Sequence, residues 1–179
     1  MSIQIFILSK LMEGNSYPYK LKKQLSGPLP LDQLAGLTES KMYYHFDSLA
    51  KKGLIESVEI IKEEHRPDKQ VFAITSKGRD ELPKLIYKVF EDAREIKDMV
   101  LGLASLQYVS SEKVIGILEK KAADTKLFWE QLSEMGDKVE VNKANEKLVD
   151  FMKDYLTDRT KHTVYWLEES INWIKQKEL

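Results

Sequence analysis

Apolar residues recur at three- and four-residue intervals along most of this chain, and near-alternation takes over in only one place, between Leu54 and Ile74. That pattern predicts helices interrupted by a single small pair of strands. The first helix spans about Ile3 to Glu13, with Ile3, Phe6, Ile7, Leu8 and Leu11 as a broad apolar face, and it ends at Gly14. Asn15-Ser16 make a turn. The second helix begins near Tyr17 and continues to Leu25; Pro18 fits its first turn, where the missing N–H would be unpaired anyway. Ser26-Gly27-Pro28 stops it, and Leu29 to Leu37 adds at most one short helical turn.

The third helix is marked at both ends. Thr38 is a good N-cap, Glu39 complements the positive end of the helix dipole, and Gly53 stands where a helix ends in the left-handed conformation. Met42, Phe46, Leu49 and Ala50 fall on a core-facing side, while Ser40, Lys41, Tyr44, Asp47, Ser48 and Lys51 take the other. Leu54 to Ile61 and Gln70 to Ile74 are β-branched and read as a hairpin, its charged tip carrying His65, Arg66 and Lys69 among Glu63, Glu64 and Asp68. Helix, helix, helix, hairpin is the order of a winged helix-turn-helix.

Beyond the hairpin the pattern becomes purely helical. Thr75-Ser76 cap a new helix, and Pro83 predicts a kink or restart near Leu82. Leu82, Leu85, Val89, Ala93, Ile96, Val100 and Leu103 then form a coiled-coil-like seam. A second long helix runs from about Ser111 to Glu134, with Val114, Leu118, Ala122, Thr125, Trp129 and Leu132 on one stripe and Met135-Gly-Asp-Lys as its end. The last, capped by Asn142, runs from about Lys143 nearly to the C-terminus. It carries Leu148, Phe151, Tyr155, His162, Trp166 and Trp173 on one side and Leu156, Thr163, Leu167, Ile171 and Ile174 on another. Two apolar sides call for two partners: the helix's own chain and a second copy.

The expected fold is therefore mainly α with a small β-hairpin wing. Residues 1–82 would form a winged helix-turn-helix DNA-binding domain, and residues 83–179 a long-helix dimerisation and candidate effector domain. Composition narrows the function. At 42% hydrophobic and 32% charged, the chain has a core and much exposed helix surface. The net charge is −1, but Lys and Arg outnumber Asp and Glu by 12 to 10 through Asp80 and are outnumbered 16 to 19 thereafter. Nucleic-acid affinity would have to come from a local patch. There is no cysteine, which removes disulfides and thiolate zinc sites, and no apolar run approaches the ~20 residues needed to cross a bilayer. No membrane partner is expected, and the expected location is the cytoplasm.

Catalysis has little to stand on. Three histidines (His45, His65, His162), no Gly-rich phosphate loop and no metal-ligand spacing give no recognisable nucleophile, metal site or cofactor. Trp129, Trp166 and Trp173, with Phe128, Tyr155 and Tyr165, concentrate aromatics in the second half. Such a stripe at helical spacing reads first as packing; read functionally, Phe128, Trp129, Tyr165 and Trp166 would line a pocket for a small aromatic or hydrophobic effector.

Several segments resemble the PadR family of transcriptional regulators. They are Leu8-Ser-Lys-Leu-Met-Glu-Gly-Asn-Ser-Tyr-Pro-Tyr-Lys-Leu-Lys-Lys, Met42-Tyr43 through Leu49, Lys52-Gly-Leu-Ile55, the wing residues Arg66-Pro67, Lys69 and Val71-Phe72, and Thr75-Ser-Lys-Gly-Arg79. Pro18 stands where that family usually has Gly, and Phe72 where it has Tyr. The resemblance implies a homodimeric repressor on a two-fold double-stranded DNA operator. It implies phosphate contacts from Tyr19 and Tyr43, base-edge contacts from Ser40 and Lys41, and wing contacts from Arg66 and Lys69. Lys20, Thr38 and Tyr44 complete the expected DNA-binding set. The competing reading is a helical protein-interaction or ligand-sensing adaptor whose DNA binding is weak or lost.

Overall fold

The computed structural model describes residues 2–26, 38–62, 68–136 and 145–177. They fall into two compact units, one made of Met1–Asp92 with Lys97–Val109 and the other of Ala93–Ile96 with Ser110–Leu179.

In the first unit, helix α1 (Ser2–Glu13) is the hub. Ile3, Ile5, Ile7, Leu8 and Leu11 are all buried, so apolar side chains point inward around most of its circumference. Helix α2 (Pro18–Leu25) has Pro18 in its first turn and buries Leu21 and Leu25. The expected short turn at 29–37 lies outside the described residues. Helix α3 (Glu39–Lys51) begins at Thr38, whose hydroxyl accepts from the Lys41 N–H at 3.3 Å, and it buries Met42, Phe46 and Leu49. Gly53, at φ 68°, turns the chain out of the helix as glycine permits.

Strands β1 (Ile55–Ile61) and β2 (Lys69–Ile74) pair antiparallel, with a bulge between Ser57 and Glu59. The near-alternation of the sequence does not set burial along β1: Ile55 is buried, whereas Val58 and Ile60 are exposed. On the other edge of β2, Ser16 and Phe72 exchange backbone hydrogen bonds at 3.1 and 2.8 Å, a one-residue third strand. The Phe72 ring is buried 5.1 Å from that of Phe46, in a setting where a phenyl needs no polar partner.

Two helical expectations need correction. Helix α4 runs unbroken over Ser76–Asp92 with Pro83 inside it. Pro83 removes one hydrogen bond, but the freed carbonyl belongs to the exposed Arg79, and Leu82, Ile86, Val89 and Phe90 hold one apolar stripe on both sides of the proline. All of α4 falls within the first compact unit. The seam through Leu103 is not one long helix either. After Asp92 come a 3₁₀ turn, Ile96–Met99, the short helix α5 (Val100–Leu103) and a second 3₁₀ turn, Leu106–Tyr108. Gly102 lets this segment fold back on α4, since a Cβ there would lie 3.1 Å from the Phe90 ring. Ser9 Oγ donates to Ser105 Oγ at 2.9 Å and Tyr108 Oη to the Ser9 carbonyl at 3.2 Å, joining the returning segment to α1.

The second unit pairs α6 (Ser111–Gly136) with α7 (Glu146–Lys177). Val114, Leu118 and Ala122 are buried on α6, and Val164, Leu167, Ile171 and Ile174 on α7. Ion pairs Lys126–Glu168 at 2.8 Å and Lys175–Glu119 at 3.6 Å show the antiparallel register; both are about half exposed and contribute little energy. The expected Asn142 cap lies outside the described residues.

Candidate nucleic-acid interface

Burying Met42, Phe46 and Leu49 leaves α3 one outward edge, and three of its side chains are large or charged. Tyr43 and Tyr44 are 46% and 68% exposed, Lys41 is exposed beside them, and Ser40 lies one turn nearer the N-terminus. The sequence reading therefore placed this edge correctly in solvent. Ser48 is only half-exposed, because Gln4 Nε2 reaches its hydroxyl at 3.4 Å. Thr38 is exposed, but its hydroxyl is committed to the cap of α3, so it acts by shaping the helix end.

Helix α2 packs against α3. It adds Tyr19, 53% exposed, and Lys20, also exposed. At the tip end of the hairpin, Lys69 Nζ sits 5.6 Å from the centroid of the Tyr17 ring, a cation–π contact between the start of β2 and the start of α2. No local pattern signals that pairing, which depends on the hairpin's register. Arg66 and His65, at the hairpin tip, lie outside the described residues. α2, α3 and the start of β2 thus bring together hydroxyls, phenols and ammonium groups, donors of the kind that hold phosphates and read base edges.

His45 flanks this edge, one turn after Lys41. It is half-buried and its Nδ1 has no hydrogen-bond partner among the described residues. Burial pulls its pKa below the ordinary histidine value of 6.5, and the positive charges of Lys41 and Lys52 add to that. The folded state then binds fewer protons than the unfolded chain once the pH drops below ~6.5. Stability from this group is present above that pH and is lost as the pH falls through the window below it. A fall in the thermal midpoint between about pH 7.5 and pH 5.5 should be shallower in His45→Gln; identical pH profiles for the two proteins would contradict this.

The candidate effector residues do not form an enclosed pocket. Phe128 is 65% exposed and Trp129 half-buried on α6. On α7, Tyr165 and Trp166 stack edge-on at 5.3 Å and are both exposed, and Trp166 Nε1 donates to His162 Nε2 at 3.0 Å. No group of acidic, histidine or cysteine side chains that could hold a metal occurs among the described residues. No helix of the described residues is long and apolar enough to cross a membrane.

Residues 7–84, which run from α1 into α4, match the family described as Transcriptional regulator PadR-like. The match takes in α2, α3 and the hairpin, and with them every candidate DNA-binding position. Similar solved structures have low sequence identity. Bacillus subtilis PadR in complex with operator DNA is 17% identical, covering 97% of this chain and 99% of that one with a TM-score of 0.43. The smu.1604c protein of Streptococcus mutans UA159 is 21% identical, covering 94% and 98% with a TM-score of 0.42. Bacillus subtilis PadR in complex with p-coumaric acid is 17% identical, covering 98% and 99% with a TM-score of 0.41. No curated protein matches.

Proposed function

We propose that this PadR-like chain is a sequence-specific, double-stranded-DNA-binding transcriptional regulator that works as a homodimer. One observation carries the DNA-binding reading: the N-terminal half of α3 turns Ser40, Lys41, Tyr43 and Tyr44 outward, while Met42, Phe46 and Leu49 on its other side are buried. A helix anchored in this way on a winged module is the element that enters a major groove N-terminus first. Tyr19 and Lys20 on α2 and Lys69 at the start of β2 are assigned to phosphates, as is Arg66. Occupying an operator is enough to block transcription without any further contact, so repression is the simplest mode of action. Selecting a duplex from a random-sequence pool with the purified protein tests the reading. Recovery of one inverted-repeat sequence supports it, and recovery of no preferred sequence contradicts it.

The dimer is proposed from α7. Every residue from Asn145 through Tyr155 is exposed, and these three turns include Leu148, Val149, Phe151, Met152 and Tyr155. Trp166 and Trp173 continue the open apolar side toward the C-terminus. An exposed apolar surface of this extent marks an association site, and a second copy supplies one with the same composition. A two-fold protein of this kind requires half-sites about 34 Å apart, or a multiple of that. Phe151→Glu should weaken self-association by about 2 kcal/mol, roughly 30-fold, in sedimentation equilibrium. An unchanged mass distribution would place the interface elsewhere.

The exposed Tyr165–Trp166–His162 cluster favours a second role for the same surface, as the place where a small aromatic effector docks. Quenching of tryptophan fluorescence together with release of the selected duplex is the expected signature. A compound library that produces neither would remove this part of the proposal.

A further inference from the structure

Helix α4 begins by gripping the end of α3. Three consecutive carbonyls leaving α3 each accept a hydrogen bond from the segment that starts α4. Lys77 Nζ donates to the Lys52 carbonyl at 2.7 Å, Thr75 Oγ1 to that of Gly53 at 2.8 Å, and the Thr75 N–H to that of Leu54 at 3.1 Å. The same Thr75 hydroxyl accepts from the Gly78 N–H at 3.1 Å, so one side chain caps α4 and holds the end of α3. Gly78 makes the approach feasible. A Cβ there would run into the Leu54 carbonyl oxygen and come within 2.8 Å of Ile74 Cγ1. The carbonyls are the negative end of the α3 dipole, and the Lys77 ammonium is the charge that complements it.

These contacts lie at the opposite end of α3 from Lys41 and Tyr43. A helix of 13 residues is about 19 Å long, so a tilt of about 5° about its C-terminal end moves the other end by about 1.5 Å. Such a shift is enough to break hydrogen bonds to base edges, which weaken steeply with distance and angle. We infer that Thr75 and Lys77 are positioning residues for DNA binding, a latch that fixes the tilt of α3 and so aims its polar edge at the groove. This role rests on the DNA-binding reading above. It also gives the Thr75-Ser-Lys-Gly78 segment a task that capping α4 alone does not explain: the cap needs only the hydroxyl as an acceptor, whereas the latch uses it as a donor as well and adds the lysine.

The test uses the full chain and a fluorescein-labelled duplex selected from a random-sequence pool by the unaltered protein. Thr75→Val and Lys77→Met should each bind this duplex about tenfold more weakly, Thr75→Ser and Lys77→Arg nearly as well as the original. Two readouts separate positioning from other roles. Hydrogen exchange at the Gly53 and Leu54 amides, measured without DNA, should speed up in Thr75→Val and Lys77→Met. The dependence of binding on salt should keep its slope, because no phosphate contact is removed. A slope reduced by about one in Lys77→Met would make Lys77 a phosphate contact and overturn its positioning role. Equal binding by all variants of a duplex that the unaltered protein does select would overturn the latch alone. Failure of the unaltered protein to select any duplex would overturn the DNA-binding reading, and the latch's role in it.

Discussion

Replacing Phe46 with alanine should destabilise the winged module by about 3–5 kcal/mol, the cost of emptying a buried aromatic site that its surroundings cannot fill. Phe46 is 1% exposed on the inner face of α3, and its ring meets that of Phe72 at 5.1 Å. Phe72 is in turn tied through its backbone to Ser16, between α1 and α2. The cavity would therefore open where α3, the hairpin and the α1–α2 turn converge, and the aromatic pair itself, worth about 0.5–1.5 kcal/mol beyond area burial, would be lost as well. Phe46→Leu keeps most of the volume and should cost about half as much or less. Urea unfolding followed by circular dichroism measures both. A loss under about 1 kcal/mol in Phe46→Ala would mean that the site collapses or was never tightly packed.

The second large effect is on affinity. Lys41→Ala combined with Tyr43→Ala should lower affinity for a selected duplex about 100-fold, as removal of one charged and one phenolic contact at roughly 1–2 kcal/mol each predicts. Both residues are exposed, so the thermal midpoint and the self-association of the double variant should stay close to those of the original. Tyr43→Phe separates the hydroxyl from the ring: weakened binding assigns the contact to the phenol's hydrogen bond, and retained binding to packing against the sugar-phosphate backbone. A double variant that binds as tightly as the original would remove α3 from the interface.

How much of this was legible from residues alone varied with the range of the forces involved. The α3 segment was readable because its determinants are local: the Thr38 cap, the Gly53 turn, and Met42, Phe46 and Leu49 at helical spacing are all realised. The two apolar sides of α7 were readable for the same reason, since a 32-residue helix displays its pattern over many turns. Pro83 misled because proline's local cost, about 3 kcal/mol in a helix interior, was outweighed by burial of Leu82, Ile86, Val89 and Phe90 along one continuous stripe. The seam through Leu103 misled because helical spacing persists across a chain reversal, and only the meeting of Gly102 with Phe90 shows that Lys97–Val109 folds back into the first unit.

The remaining surprises were single-residue events without periodicity. The Ser16–Phe72 bridge and the bulge between Ser57 and Glu59 depend on hairpin register, which no window of sequence encodes. Within the site, Ser40, Lys41 and Tyr44 could be assigned to the outer edge of α3 from helix geometry, whereas Tyr43 came only from the family resemblance. Lys69 over Tyr17, and the grip of Thr75 and Lys77 on the carbonyls after α3, could not, because each joins positions more than twenty residues apart.

Equilibrium binding of the protein and of Lys41→Ala to one selected duplex, between about 50 and 400 mM salt, addresses the α3 edge most directly. For the unaltered chain, log affinity should fall linearly and steeply with log salt. Lys41→Ala should bind more weakly with a slope smaller by about one, the mark of one lost phosphate contact, or more weakly at an unchanged slope if Lys41 reads a base edge. The same affinity and slope in both proteins would contradict the placement of this helix against DNA.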